Sequence, residues 1–354
     1  MPNDMKILVI RRDNIGDLVC NTPLIHALRQ HFPKATICAL VNSYNAPVLA
    51  NNPDIDAVFA YTKAKHRPPG TSIAKVYWDR LRLFAQLRRM HFDYAILAAP
   101  RFQPRLLRLA HFAGARRVVG FIEPDTPSTA HIDIGVPYGP IHPPHEVEDV
   151  FRLLSPLGIT GQPPPTQVHP QANELARAKE ALHRAIPLQP PLLIGVHISA
   201  RKPSQRWPTQ NFAALIKRLH KEHNAGFMLF WSPGDTSNPL HPGDDAKARE
   251  IIVATKGIPL LAYPTQELGQ LIAGLSLCDM VICSDGGAMH LAAGLGKPIL
   301  CFFGKSDATR WHPWGVPHRI RQPTSQNVSD ISVEDAMTDF AHLLGDVLLQ
   351  APEL

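Results

Sequence analysis

Short apolar runs alternate with longer amphipathic ones along most of this chain. Lys6–Arg11 (KILVIR), Thr36–Val41, Tyr94–Ala98 and Arg117–Phe121 are each a compact stretch of aliphatic side chains bounded by turn-forming residues, and each predicts a buried strand. Between them Thr22–Phe32, Ile73–Met90 and Leu106–Ala113 carry apolar residues at helical spacing, with Pro23 in a first turn where proline is tolerated. Val48–Phe59 reads as a helix end, a turn at Asn52-Pro53-Asp54 and a strand. The pattern lapses over residues 122–144, which are rich in Pro, Gly and Thr and read as loops. It resumes as a helix at His145–Leu157, passes through a stiff proline-rich stretch at 160–170, and forms another helix at Asn173–Ala185. After a second proline cluster at 187–191, strands are predicted at Leu192–Ile198, Gly226–Trp231, Met280–Ser284 and Ile299–Phe303. Helices are predicted at Thr209–Glu222, from Thr265 through Ser276, at Ala288–Leu295 and at Val333–Leu349.

Strands alternating with helices in this way imply the α/β class, with parallel sheets covered on both faces. The proline interruptions divide the chain into a first Rossmann-like domain at 1–160, a linker with a helix at 161–191, a second Rossmann-like domain at 192–330 and a terminal helix at 331–354. A length of 354 residues, 45% hydrophobic and 19% charged, suits two globular domains.

No apolar run reaches the roughly 18 residues of a transmembrane helix. MPNDMKILVIRR has no cleavage-site pattern, so a cytoplasmic chain is expected. The five cysteines are odd in number and sit mostly in apolar segments, which predicts buried, reduced thiols. His220-x-x-His223 and His142-x-x-His145 have ligand-like spacing but no third ligand, and Cys-x-x-Cys does not occur, so no metal and no other cofactor is expected.

Charge changes the picture. The formal net charge is +6, yet the first 120 residues alone hold 18 Lys and Arg against 7 Asp and no Glu, a net +11. That asymmetry predicts an acidic partner for the first domain: a phosphorylated substrate or an anionic membrane surface. No nucleic-acid-binding motif is present to favour nucleic acid.

In open α/β sheets, ligands bind outside the carboxyl ends of strands. Three exits of this kind carry chemistry. After the first strand, Arg12-Asp13-Asn14-Ile15-Gly16-Asp17 forms a turn, with Gly16 allowing close approach and Asp17 offering a carboxylate. Asp17 reads equally as a general base or as an N-cap for the following helix. After the strand at 192–198, Ser199, Arg201, Lys202 and Arg206 precede Trp207-Pro208, a set suited to a diphosphate. After the strand at 280–284, Asp285-Gly286-Gly287 leads into a helix through Ala288, Met289 and His290, whose free amides and dipole favour an anion. A second glycine turn follows at Gly304–Asp307. In the first domain, Lys63, Lys65, His66 and Arg67 form a basic loop, and Arg101, Arg105 and Arg108 follow another strand end. Such arginines can grip phosphates and carboxylates by paired hydrogen bonds.

Ser284-Asp285-Gly286-Gly287-Ala288-Met289-His290-Leu291-Ala292-Ala293-Gly294-Leu295-Gly296-Lys297-Pro298, with Phe302-Phe303-Gly304-Lys305-Ser306-Asp307, resembles the donor-site signature of glycosyltransferase family 9, the heptosyltransferases. The Arg12–Asp17 segment resembles that family's opening motif, and the 199–208 loop its basic loop ending in Trp-Pro. The resemblance implies a GT-B fold, two facing Rossmann-like domains with a cleft between them, and a terminal helix returning toward the first domain. It implies inverting transfer of a heptose from ADP-heptose to the inner core of lipopolysaccharide, without a metal, at or near the cytoplasmic face of the inner membrane. It implies Asp17 as catalytic base, acceptor contacts from Arg12, Asn14, Gly16, Lys63, Arg67, Arg101 and Arg105, and donor contacts from Ser199, Arg201, Lys202, Arg206, Glu267 and residues 285–290. Lys202 and Arg206 compete for the donor phosphates, and Asp244, Asp245 and Glu250 for the donor ribose. Glu267 reads equally as a charge favouring a helix N-terminus.

Other readings use the same fold. A nucleotide-sugar epimerase would share the diphosphate cradle but would not need a basic first domain. A dinucleotide dehydrogenase would carry Gly-x-Gly-x-x-Gly where only Gly16 stands. A non-catalytic nucleotide-binding protein would have no use for Asp17. A family member serving another acceptor, or another nucleotide sugar, fits the same residues.

Overall fold

All strands of each sheet run parallel, because nearly every connection between neighbouring strands is a helical crossover. The structure is a computed structural model that describes residues 5–62, 72–123, 126, 129, 131–139, 145–236 and 243–350. Lys63, Lys65, His66, Arg67 and His142 lie outside the described residues. The chain divides into two compact units after Gln167, inside the stretch read as a linker.

The first unit contains β1 (Lys6–Ile10), α1 (Ile15–Val19), α2 (Thr22–His31), β2 (Thr36–Asn42), β3 (Ala57–Tyr61) and α3 (Ile73–Met90). It continues with β4 (Tyr94–Leu97), α4 (Pro104–Ala113), β5 (Arg117–Ile122), β6 (Ile134–Pro137) and α5 (Glu146–Phe151). Its strand order is β3-β2-β1-β4-β5-β6. The order reverses beside β1, which pairs with β2 through Ile7↔Ile37 and with β4 through Ile7↔Tyr94. The loop leaving β1 therefore emerges at the switch point of the sheet, where such folds leave a crevice.

The second unit contains α6 (Ala172–Ala185), β7 (Leu193–His197), α7 (Thr209–His223), β8 (Gly226–Trp231), α8 (Asp245–Ala254), β9 (Leu260–Pro264) and α9 (Leu268–Leu277). It ends with β10 (Met280–Ser284), α10 (Gly287–Gly294), β11 (Ile299–Phe302), α11 (Ala308–Trp311), β12 (His318–Arg321) and α12 (Val333–Gln350). Its order is β12-β11-β10-β7-β8-β9, so its switch point lies between β10 and β7. The two exits read as a diphosphate site are thus neighbours. Trp207 is buried to 1% exposure against Phe212 and Phe302, and its Nε1 donates to the Ile331 carbonyl at 2.9 Å. This anchors the end of the 199–207 loop in the core.

Several expectations are corrected. The turn at Asp13–Asp17 contains the start of α1. The loop segment 122–144 holds β6, and β9, β12 and α8 form where no element was expected. β6, β9 and β12 are outer strands and only partly buried; β12 (HRIR) carries no apolar run, and β6 (IGVP) and β9 (LLAYP) are short apolar stretches that end in proline. The helix at 172–185 packs on α9 and β9 of the second unit instead of bridging as a linker. The terminal helix α12 lays Met337, Phe340 and Leu343 into the second unit's core, against β11, β12 and α7. That placement accounts for its apolar face.

Candidate active site

Arg11 organises the first unit's site. It follows β1 directly and is 1% exposed. Its Nη1 donates to the Ala98 carbonyl at 2.7 Å, and its Nη2 donates to Asp17 Oδ1 at 2.7 Å and Glu146 Oε1 at 2.9 Å. Nε lies 3.2 Å from Asp13 Oδ2. Burial opposes the charge on Arg11, but the carboxylates of Asp17, Glu146 and Asp13 outweigh it, so its pKa stands above the ordinary arginine value. Asp17 is the third residue of α1, not its cap. Asn14 caps the helix, and Asp17 Oδ2 accepts from the Asn14 backbone N–H at 2.8 Å and from its Nδ2 at 2.9 Å. Both carboxylate oxygens are therefore oriented by donors, while the side chain keeps 13% exposure.

The loop before Asp17 is held from β2. Asn42 Nδ2 donates to the Arg12 carbonyl, and Asn45 Nδ2 donates to the Asp13 carbonyl at 3.1 Å. A cavity of about 580 Å³ opens beside the loop, lined by Arg12, Asp13, Phe102, Gln103, Arg105 and Arg108 among others. Three of the expected cations thus share one wall. Arg101 is not in that lining: it has a positive φ of 61° and its guanidinium lies 5.7 Å from the Tyr138 ring centroid. Gly16 is buried within α1.

In the second unit, three strand exits meet through Gln205. Its Nε2 donates to Asp285 Oδ2 at 2.6 Å and to Ser306 Oγ at 3.0 Å. Gln322 Nε2 in turn donates to the carbonyls of Gly304 and Ser306. Gly304 is required where it stands: a Cβ there would fall 2.3 Å from the Ser204 carbonyl oxygen. A Cβ at Gly286 would meet nothing within 4 Å, so open space lies in front of the α10 start. The first amides of α10, from Gly287, Ala288 and Met289, have no acceptor within the helix and form the positive end of its dipole. Met289 contributes backbone only, because its side chain is fully buried with its sulfur 3.2 Å from Cys301 Sγ. His290 is 5% exposed and stands edge-on to Trp311.

The 199–207 loop is clamped at both feet by Lys247, whose Nζ donates to the carbonyls of Ile198 at 3.1 Å and Trp207 at 2.8 Å. Burial, with a contribution from Arg206, lowers the Lys247 pKa to about 8 against the favourable charge of Asp244. The same burial, together with Lys247, lowers His197 to about 4. Arg206 Nε donates to the Ala200 carbonyl at 2.9 Å, and Nη1 lies 3.9 Å from Asp244 Oδ1. Arg206 Nη2 and Asp244 Oδ2 are both buried with no protein partner. Lys202 and Arg201 are exposed. Ser199 Oγ accepts from the Ser232 amide at 2.9 Å, joining the β7 and β8 exits.

Of the ribose candidates, Asp245 is committed to Trp231 Nε1 at 2.7 Å and the Gly234 amide at 3.0 Å. Glu250 is exposed on α8 and Asp244 is 2% exposed. Glu267 caps α9 in a reciprocal box with Gln270. His145 caps α5, and His220 Nδ1 lies 2.8 Å from the Ala225 carbonyl. Among the described residues no group of three or more His, Cys, Asp or Glu is placed to hold a metal ion. All five cysteines are buried and none is in a disulfide, and no described helix is long and apolar enough to cross a membrane.

The sequence reading missed Arg11, Glu146, Asn42, Asn45, Gln205 and Lys247. One signal was available: an arginine ending a buried strand needs carboxylate partners. The others are visible only once distant loops are brought together.

Residues 80–339 match the sequence profile of glycosyltransferase family 9 (heptosyltransferase). The chain is 26% identical over 316 residues to lipopolysaccharide heptosyltransferase 3 of Escherichia coli strain K12, covering 84% of this chain and 82% of that protein. Its fold matches a family 9 glycosyltransferase from Veillonella parvula with a TM-score of 0.80 and 19% identity, covering 98% of this chain and 99% of that one. It also matches E. coli ADP-heptose lipopolysaccharide heptosyltransferase II with a TM-score of 0.74 and 20% identity, covering 97% and 100%.

Proposed function

This chain belongs to glycosyltransferase family 9, and from that footing we propose that it transfers a heptose from ADP-heptose to the Kdo/heptose region of a lipopolysaccharide inner core, with inversion. Asp17 takes the proton of the acceptor hydroxyl as that oxygen attacks the anomeric carbon. The bond from that carbon to the diphosphate breaks as the new glycosidic bond forms, and ADP leaves. The observation that carries the reading is the carboxylate of Asp17, fixed by Arg11 and Asn14 at a switch point beside a cavity walled by Arg12, Arg105 and Arg108. Those cations suit an acceptor bearing carboxylates and phosphates.

The second unit takes the donor. The α10 start and Arg206 stabilise the charge that develops on the departing diphosphate. Arg206 is favoured over Lys202, because its Nη2 is already desolvated and lacks an acceptor. This assigns no step to a metal ion, and an unchanged rate after chelation checks that assignment. Asp244 is favoured for the ribose, since Asp245 is already committed to the protein's own donors.

The test is ADP release from ADP-heptose, with and without Kdo-lipid A and the same acceptor already bearing heptose. Release that depends on either acceptor supports the reading and identifies the acceptor. Binding of ADP-heptose without transfer to either leaves another polysaccharide or a protein as acceptor. Failure to bind ADP-heptose removes the proposed donor.

A further inference from the structure

The longest helix of the first unit packs Leu83, Phe84 and Leu87 on the core but carries four more large apolar side chains facing solvent. α3 packs through Val76 and Leu87, yet Ile73, Tyr77, Trp78 and Leu81 are 51%, 54%, 60% and 64% exposed. At helical spacing these four share the outward face. Phe112 of α4, 54% exposed and 5.5 Å from the Phe84 ring, extends the patch. Patches of this kind mark interaction surfaces.

The surrounding charge identifies the partner. The helix holds Lys75, Arg80, Arg82, Arg88 and Arg89 against Asp79 alone, and Arg82 lies over the Trp78 ring at 6.0 Å. A two-fold contact with a second copy would set this cationic face against itself. A helix with Trp, Tyr, Ile and Leu on one face and flanking cations is the pattern of a segment lying in the interface of an anionic bilayer. We propose that the outward face of α3 docks the first unit on an anionic phospholipid membrane.

The position fits the reading of the active site, on which the biological sense of this docking rests. Arg80 reaches back from α3 to the Thr62 carbonyl at 3.1 Å and lies over Tyr61, the last residue of β3. The exposed half of α3 therefore starts at the carboxyl edge of the sheet. Because all strands are parallel, this is also the edge where Asp17 and the Arg12–Arg105 cavity open. An acceptor anchored in a bilayer would be presented to that edge.

The test is flotation of the full chain with vesicles of phosphatidylethanolamine and phosphatidylglycerol, compared with phosphatidylcholine alone. Two double variants are run beside it, Trp78→Ser with Leu81→Ser and Lys75→Glu with Arg82→Glu, and ADP binding is measured on each. All four side chains are exposed, so both variants keep the fold. Wild type is expected to float with the anionic vesicles only. The serine pair should lower partitioning at least about tenfold, and charge reversal about fivefold or more per cation, with ADP binding unchanged. Equal flotation of wild type and both variants overturns the proposal. So does a wild type that ignores anionic vesicles but forms a dimer that the serine pair dissolves. Vesicle binding in a protein that fails to bind ADP-heptose supports the docking surface and counts against the heptosyltransferase reading alone.

Discussion

The Arg11 guanidinium holds Asp17 Oδ1 at 2.7 Å from inside the sheet, so the carboxylate that faces the crevice is positioned by a buried group behind it. The same guanidinium reaches Glu146 at 2.9 Å, which ties the start of α5 to the end of β1. Positioning of this kind removes the rotamer freedom that a surface aspartate would keep.

Asp17→Asn is expected to lower transfer by roughly 10²–10⁴-fold, with ADP affinity of the second unit unchanged. The change is not silent for structure. One oxygen accepts from Arg11 and the other from Asn14, so an amide nitrogen must face one of those donors. A loss of stability of about 1–3 kcal/mol is expected from that opposition, and thermal unfolding should be recorded beside the rate. A near wild-type rate in a folded variant would falsify the assignment of Asp17 as base.

Replacing Arg11 should do more damage to the fold than replacing Asp17. Arg11→Met takes away the guanidinium that stands 2.9 Å from the fully buried Glu146 carboxylate. Breaking a buried pair from one side costs about 3–5 kcal/mol. Adding Glu146→Gln should recover part of that loss, and a denaturant series on the two single variants and the double measures the coupling. Strictly additive losses would mean that the two side chains do not act as a pair.

On the donor side, the three strand exits are joined closely enough for one methyl group to part them. Gly304→Ala would place a Cβ 2.3 Å from the Ser204 carbonyl and separate the loops that Gln205 binds. ADP affinity is expected to fall by about tenfold or more, since misplacement of contact groups by about an ångström has effects of that order or larger. Calorimetric titration of ADP checks this, and an unchanged dissociation constant would show that the platform is not part of the nucleotide site.

What the sequence made legible follows a physical division. β1, β2, β7, β8, β10 and β11 lie inside their sheets, and their near-continuous apolar runs declare them. β12, with the sequence HRIR, is an outer strand and carries no such run. The α10 start was readable because its geometry is local: one turn and one helix start make it. The pairing of Gln205 with Asp285 spans 80 residues, and that of Arg11 with Glu146 spans 135, so no local pattern encodes either. The outward stripe on α3 was legible only as an amphipathic helix, since periodicity does not say which face meets the sheet.

The protein should be most stable between the titrations of its buried imidazoles and its buried thiols. His197 is lowered to about 4 by burial and Lys247, and His312 to about 4 by burial and its neighbours His318 and His290. The unfolded chain takes up these protons near 6.5, so it binds more protons than the folded chain between 6.5 and about 4, and stability falls as pH drops through that range. At the alkaline end, burial and Asp56 raise Cys38 from 9.0 to about 11, and burial also raises Cys278 and Cys301. There the folded chain keeps protons that the unfolded chain has released, so stability falls as pH rises above 9.0. Lys247 works the other way from about 8 to 10.5, because its folded pKa is lowered and the unfolded chain holds that proton longer. One lysine opposes three thiols, so the fall above 9.0 should persist but be shallower than the thiols alone would give. Urea midpoints across this range should trace a dome, and Cys278→Ala should flatten its alkaline side. A midpoint that keeps rising above 9.0 in the wild type would mean that the thiols do not control alkaline stability.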